Sequence, residues 1–152
     1  MQIKKGKVLF GFKDTFSMDS VLAEVICAGV TKYKEVISEK NRKGIPSSIY
    51  DEVELTVNDE HEDFEGLCYK RLDYVLDEII YAFGDNAPDI MKYDYDYDEV
   101  SNTPDQFGNK TYSLVCNNKE ELLRYETDSS THDKRCEEGR LLFAKHFDGL
   151  WW

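Results

Sequence analysis

Basic residues are scarce in this chain. Lys and Arg number 19 against 31 Asp and Glu, for a net charge of -12 over 152 residues. A general nucleic-acid binder needs a basic face that displaces counterions, so that class is excluded. An anionic membrane surface is excluded on the same ground. A small anionic ligand is not, because one local basic pocket suffices. Paired cysteines are also missing. Cys27, Cys68, Cys116 and Cys136 stand far apart with no CxxC pair, which argues against a zinc site. No apolar run reaches the roughly 20 residues that span a bilayer. The opening MQIKKGKVLFGF is too short in apolar residues for a signal peptide. Nucleophile and nucleotide motifs are absent: no GxSxG, no P-loop, no HExxH. His61, His132 and His146 lack metal-ligand spacing. The expectation is a soluble protein of a reducing, intracellular compartment, with no metal and no cofactor.

What is present suits a single domain over 1–152. The clearest element is YKRLDYVLDEIIYAF, Tyr69 to Phe83. Leu72, Val75, Leu76, Ile79, Ile80 and Phe83 recur at spacings of three and four, which is one apolar helix stripe. Asp73, Asp77 and Glu78 fall off it, toward water or a partner. Gly84 is expected to end the helix in the left-handed conformation. A second helix is read over 19–38, from Ser17 or Asp19 as cap, with Leu22, Val25, Ile26, Val30, Tyr33, Val36 and Ile37 apolar. Gly29 within it either admits a close neighbour or is simply tolerated. A third helix is read over 133–150, on Cys136, Gly139, Leu142, Phe143, His146, Phe147 and Leu150. His146 follows that stripe and reads as a packed core histidine. Lys7 to Phe12 and Thr111 to Cys116 are strand candidates. Asn118 caps a short helix, with Glu121 placed as in a capping box. YETDSSTHD reads as a loop. The fold class is therefore mainly α, a compact helical domain with at most a small two-stranded β element.

Charge is unevenly distributed. From Lys32 to Lys43 five basic residues meet two acids, either a solvated helix end or a ligand-facing patch. Asp51 to Glu65 carries eight acids and reads mostly as a solvated loop, with VELTV a weak strand candidate. YDYDYDE, Tyr93 to Glu99, lacks the glycine and terminal glutamate of an EF-hand loop and reads as a mobile acidic loop. Asp14, Asp19, Asp77 and Glu78 are the acids from which a magnesium site would be built. Capping and solvation account for them better. Arg71, Arg140 and Lys145 are the cations on the core helices, suited to phosphate or to surface ion pairs. The terminal Trp151 and Trp152 call for burial against the domain or a partner chain.

Four blocks, in conserved order and covering about half of the chain, resemble a widespread family of small phage proteins. DTFSMDSVLAEVI with Lys34 after it is the first. GIPSSIYDEV is similar to the family's G-x-P loop and following acids. LDYVLDEIIYAF is similar to its W-x-x-x-LDEMIWAF helix, and EEGRLLFAKHFDGLW to its closing G-x-x-LFGKYY-x-x-LW. Tyr81 replaces a Trp, Ala144 a Gly and Trp152 an acid, and Tyr69 or Leu72 stands near another Trp position. The family includes anti-CBASS sponges, which sequester cyclic dinucleotides such as 3′3′-cyclic GMP–AMP without cleaving them. The resemblance implies that activity here: a homotetramer in the cytoplasm of an infected bacterial host, not an enzyme. A sponge needs cations for two phosphates and rings for base stacking, worth about 1–3 kcal/mol per base. Arg42, Lys43, Arg71, Arg140 and Lys145, with Tyr50, Tyr81 and Trp151, are the candidates, and Tyr33 is a further ring. Two rival classes stand beside it. One is a metal-dependent phosphodiesterase on Asp14, Asp19, Asp77 and Glu78. The other is an inhibitor that binds a protein by mimicking nucleic acid with the acids of 51–65 and 93–99.

Overall fold

A computed structural model describes residues 2–4, 7–9, 18–39, 44–57, 63–104 and 106–150. The fold is mainly α, as its apolar periodicity predicts. Four α-helices are described: α1 (Met18–Glu39), α2 (Ser47–Thr56), α3 (Phe64–Phe83) and α4 (Lys119–His146). The β content is two antiparallel hairpins, β1 (Gln2–Lys4) with β2 (Lys7–Leu9), and β3 (Tyr97–Ser101) with β4 (Tyr112–Cys116). Two compact units are distinguished, 1–86 with 135–152, and 87–134.

The first unit holds the core. Leu72, Val75, Leu76 and Ile79 of α3 are buried, as the stripe requires, with Ile80 and Phe83 packed at its edge. The helix begins at Phe64 rather than Tyr69, which adds buried Cys68 one turn before Leu72. Val30 of α1, Leu142 of α4 and Leu150 complete this face. Of the segment Asp51 to Glu65, expected as loop or weak strand, 51–56 belong to α2, whose Ile49 and Val53 are buried four residues apart, 64–65 open α3, and 58–62 lie outside the described residues. Asp51 and Glu54 are exposed and Glu52 is largely covered, so the alternation in VELTV is incidental. Gly84 does end α3, but with φ -86°, ψ 169°, which is not left-handed. Its small size is what is used. A Cβ there would stand 2.7 Å from Asn86 Nδ2, the group that donates to the Tyr81 carbonyl at 3.0 Å and closes the helix end.

Glyine is required for space again at Gly139. A Cβ on it would overlap the Glu78 carbonyl oxygen and Ala82 Cβ, so α4 and α3 approach backbone to backbone. That approach covers Glu78, which is buried rather than turned to water. Arg135 neutralises it with a two-point contact, Nε to Oε2 at 2.7 Å and a terminal nitrogen to Oε1 at 2.8 Å. Asp77 does face outward, and Lys34 of α1 donates to it at 2.5 Å.

The second unit contains β3, β4 and the first part of α4. Asn118 Oδ1 accepts from the Glu121 amide at 3.3 Å, the expected cap. The helix then continues through YETDSSTHD, expected as a loop. Thr127 and Thr131 hydroxyls donate to the carbonyls of Leu123 and Thr127 at 2.7 and 2.8 Å. Bonding four residues back keeps these hydroxyls from competing for a turn. YDYDYDE is likewise ordered by its own period. Tyr97 onward is strand β3, and Tyr93 and Tyr95 pack on Tyr125 with ring centroids 5.2 and 5.9 Å apart. Tyr93 also donates to Asp128 at 2.8 Å.

Candidate functional site

Side chains of α2, α3 and α4 converge on Glu52. It lies one turn after Ser48 on α2, and Arg71 enters from α3 one residue before buried Leu72. Lys145 and His146 come from the last turn of α4. Arg71 Nε donates to Glu52 Oε2 at 2.6 Å. Lys145 Nζ pairs with Oε1, and His146 Nε2 stands 3.1 Å from the same oxygen. That last pair is within ion-pair distance yet out of hydrogen-bond alignment. The other ring nitrogen, Nδ1, is 2.9 Å from Ser48 Oγ.

The protonation states follow from these neighbours. Burial pushes the Glu52 carboxyl up, but hydrogen bonds from Lys145 and Arg71 and the Arg71 charge outweigh it and hold it at about 2. Burial pushes His146 below the usual imidazole value, and nearby Lys145 and Arg71 act in the same direction against Glu52. At neutral pH the group is therefore a carboxylate, two cations and a neutral imidazole, with one positive charge in excess.

Two clefts open beside this cluster. One, of about 390 Å³, is walled by Glu52, Val53, Leu55, Thr56, Arg71 and Lys145. The other, of about 460 Å³, is bordered by the Gly44–Ser48 segment, Lys145 and Gly149. The chain matches no family model, no curated protein and no solved structure.

Of the residues expected at a site, Arg71 and Lys145 are brought together in the first cleft. Arg140 is not with them: it is exposed on a separate cleft of about 610 Å³ with Asp19, Leu22 and Phe83. Tyr81 lies under the Arg135 guanidinium, 3.7 Å from its ring centroid, and Tyr50 stacks on Phe64 at 6.2 Å. Arg42, Lys43 and Trp151 lie outside the described residues. So does Asp14 of the acid set. Asp77 and Glu78 of that set are each held by a cation, and among the described residues no group of three His, Cys, Asp or Glu could hold a metal ion. Sequence reasoning missed Glu52, Ser48 and Arg135. Glu52 is one of eight acids in its segment, and only burial distinguishes it. Arg135 is hidden in a polar run that reads as a helix start.

Proposed function

We propose that this chain is a phage anti-CBASS sponge that binds a cyclic dinucleotide and withholds it without cleavage. The observation that carries the reading is the convergence of Arg71 and Lys145 on one cleft. Both cations are anchored by a largely buried carboxylate, so their positions are set before a ligand arrives, which reduces the ordering cost of binding. The excess positive charge is local in a chain of charge -12, as a dianionic ligand requires. The planar Arg71 group suits bidentate phosphate contact, and Lys145 adds a second point of charge. Tyr50, Tyr81 and Trp151 are the stacking candidates, and Arg42, Lys43 and Arg140 the remaining cations. Four sequence blocks similar to the phage family point the same way. In this reading the chain acts as a homotetramer in the cytoplasm of the infected bacterial host.

The test is release. Protein incubated with 3′3′-cyclic GMP–AMP is filtered, then heat-denatured, and the nucleotide is assayed. A sponge removes the ligand and returns it intact. A phosphodiesterase returns product, and a nucleic-acid mimic removes nothing. Calorimetry on Arg71→Ala and Lys145→Ala should show about ten- to a hundredfold weaker binding each, the loss of one contact to a charged group. Parent-like affinity in both, with the fold intact, removes this cleft from the reading.

A further inference from the structure

The Ser48 hydroxyl lines the second cleft, with the His146 imidazole and then the Glu52 carboxylate behind it, and sequestration does not use that order. Ser48 Oγ is 2.9 Å from His146 Nδ1, and His146 Nε2 is 3.1 Å from Glu52 Oε1. Nucleophile within reach of a base, and base within reach of an orienting acid, is the general arrangement for an activated serine. We propose that Ser48, His146 and Glu52 form a nucleophilic relay, and that the protein hydrolyses a small carboxylic ester bound beside Ser48.

Three observations support the assignment. The first is the proton arrangement. With Glu52 ionised and His146 neutral, the carboxylate 3.1 Å away favours the ring hydrogen on Nε2 by charge, the pair being out of hydrogen-bond alignment. The lone pair of Nδ1 then faces the Ser48 hydroxyl, as a general base requires. The ring is turned relative to the serine-protease triad, where Nε2 meets the hydroxyl, and the proton logic is the same. The second is access. His146 is buried, but Ser48 is only half-buried and lines the cleft of about 460 Å³ with Ile45, Pro46, Lys145 and Gly149. The third is the place of Ser48 in the first turn of α2. Pro46, the residue before that helix, supplies no side-chain cap. The Ile49 and Tyr50 amides donate to the Pro46 carbonyl at 2.9 and 3.4 Å, which leaves the Ser47 and Ser48 amides, where the helix dipole is positive. They are donors for an oxygen that gains negative charge.

The step balances within these groups and water. Ser48 Oγ bonds to the ester carbonyl carbon as its proton passes to His146 Nδ1. The tetrahedral adduct collapses, the bond to the alkoxy oxygen breaks, and that oxygen leaves with the proton from His146. Water repeats the sequence on the acyl-serine, releasing a carboxylic acid and restoring Ser48. Glu52 meets the ring, Arg71 and Lys145 but not the ester, and is a positioning residue that stabilises the imidazolium while it exists.

The test uses the whole chain and no nucleotide, so it stands or falls apart from the sponge reading. p-Nitrophenyl acetate turnover is followed, and a fluorophosphonate probe is mapped by peptide mass. The parent should turn over the ester and carry one adduct, on Ser48. Ser48→Ala should lose both, and His146→Gln should lose about 10²–10⁴ of the rate. Because His146 lies in the core, Ser48→Cys gives a reading that leaves the core intact. Iodoacetamide should alkylate the introduced thiol about tenfold faster in the folded protein than in urea, since a neighbouring base favours thiolate. Ester turnover in the parent no faster than in Ser48→Ala, an adduct elsewhere, or equal alkylation folded and unfolded would each overturn the relay and leave Ser48–His146 as a tether between α2 and α4.

Discussion

Glu52 is the residue on which the site depends. Its side chain is 14% exposed, and three charged or polar groups, Arg71, Lys145 and His146, surround it. Glu52→Gln should cost about 2 kcal/mol. A fully buried pair broken on one side costs about 3–5 kcal/mol, but Arg71 and Lys145 stay partly hydrated and reduce that. The pH dependence has a definite sign. The folded carboxyl lies at about 2 against an ordinary 4.5, so its contribution is complete above about 4.5. It is lost as pH falls toward 2. Urea unfolding of parent and variant should therefore differ most at pH 7 and converge only as pH falls through about 2. A constant gap would assign the effect to packing instead of charge. Gly139 gives a second residue-scale expectation. Gly139→Ala must push α4 off the Glu78 carbonyl, and overpacking of this kind costs about 1–3 kcal/mol, read as a lower urea midpoint. A midpoint equal to the parent's would mean that the helices separate freely there.

At the scale of elements, α4 is the informative case. Its first half is polar and carries Ser129, Ser130, Thr127 and Thr131 in sequence, a composition that suits loops. The Asn118 cap starts the helix, and the Thr127 and Thr131 hydroxyls are satisfied inside it by carbonyls four residues back. Asn118→Ala should cost about 1 kcal/mol and should raise amide exchange first in the turn after Lys119. Unchanged exchange there would show that the cap contributes nothing. Helix α2 is the opposite case. Its acids obscure it, and only Ile49 and Val53 mark its inner face.

For the whole molecule, the proposed sponge makes one further claim. Tetramers should scatter light at a mass well above 17.7 kDa at micromolar concentration. A particle of the chain mass would refute the assembly while leaving ligand capture to the release experiment. The local cationic cleft within an acidic whole also predicts that added salt weakens capture, because charge attraction is screened over about 10 Å at 0.1 M.

Much of the fold was determined by the sequence itself. The stripe of α3, the Ile26, Val30, Tyr33 and Ile37 face of α1, the stripe from Cys136 to His146 and strand β4 follow from periods of 3.6 and 2, whereas Leu22, Val25 and Val36, read into the same α1 stripe, are exposed. Those periods are local, so neighbours in sequence suffice to state them. The chain alone also put Arg71 and Lys145 on core helices as cations of interest. Which cations meet, and over which acid, was decided only by tertiary structure. Glu52 and Lys145 are far apart in sequence, as are Ser48 and His146 and Glu78 and Arg135. No periodicity relates such residues. Their pairing depends on how closely α4 can lie on α3, and that distance is set by the missing side chain of Gly139. Burial then does the rest, selecting Glu52 and Glu78 from many acids, because only an acid removed from water must find a cation.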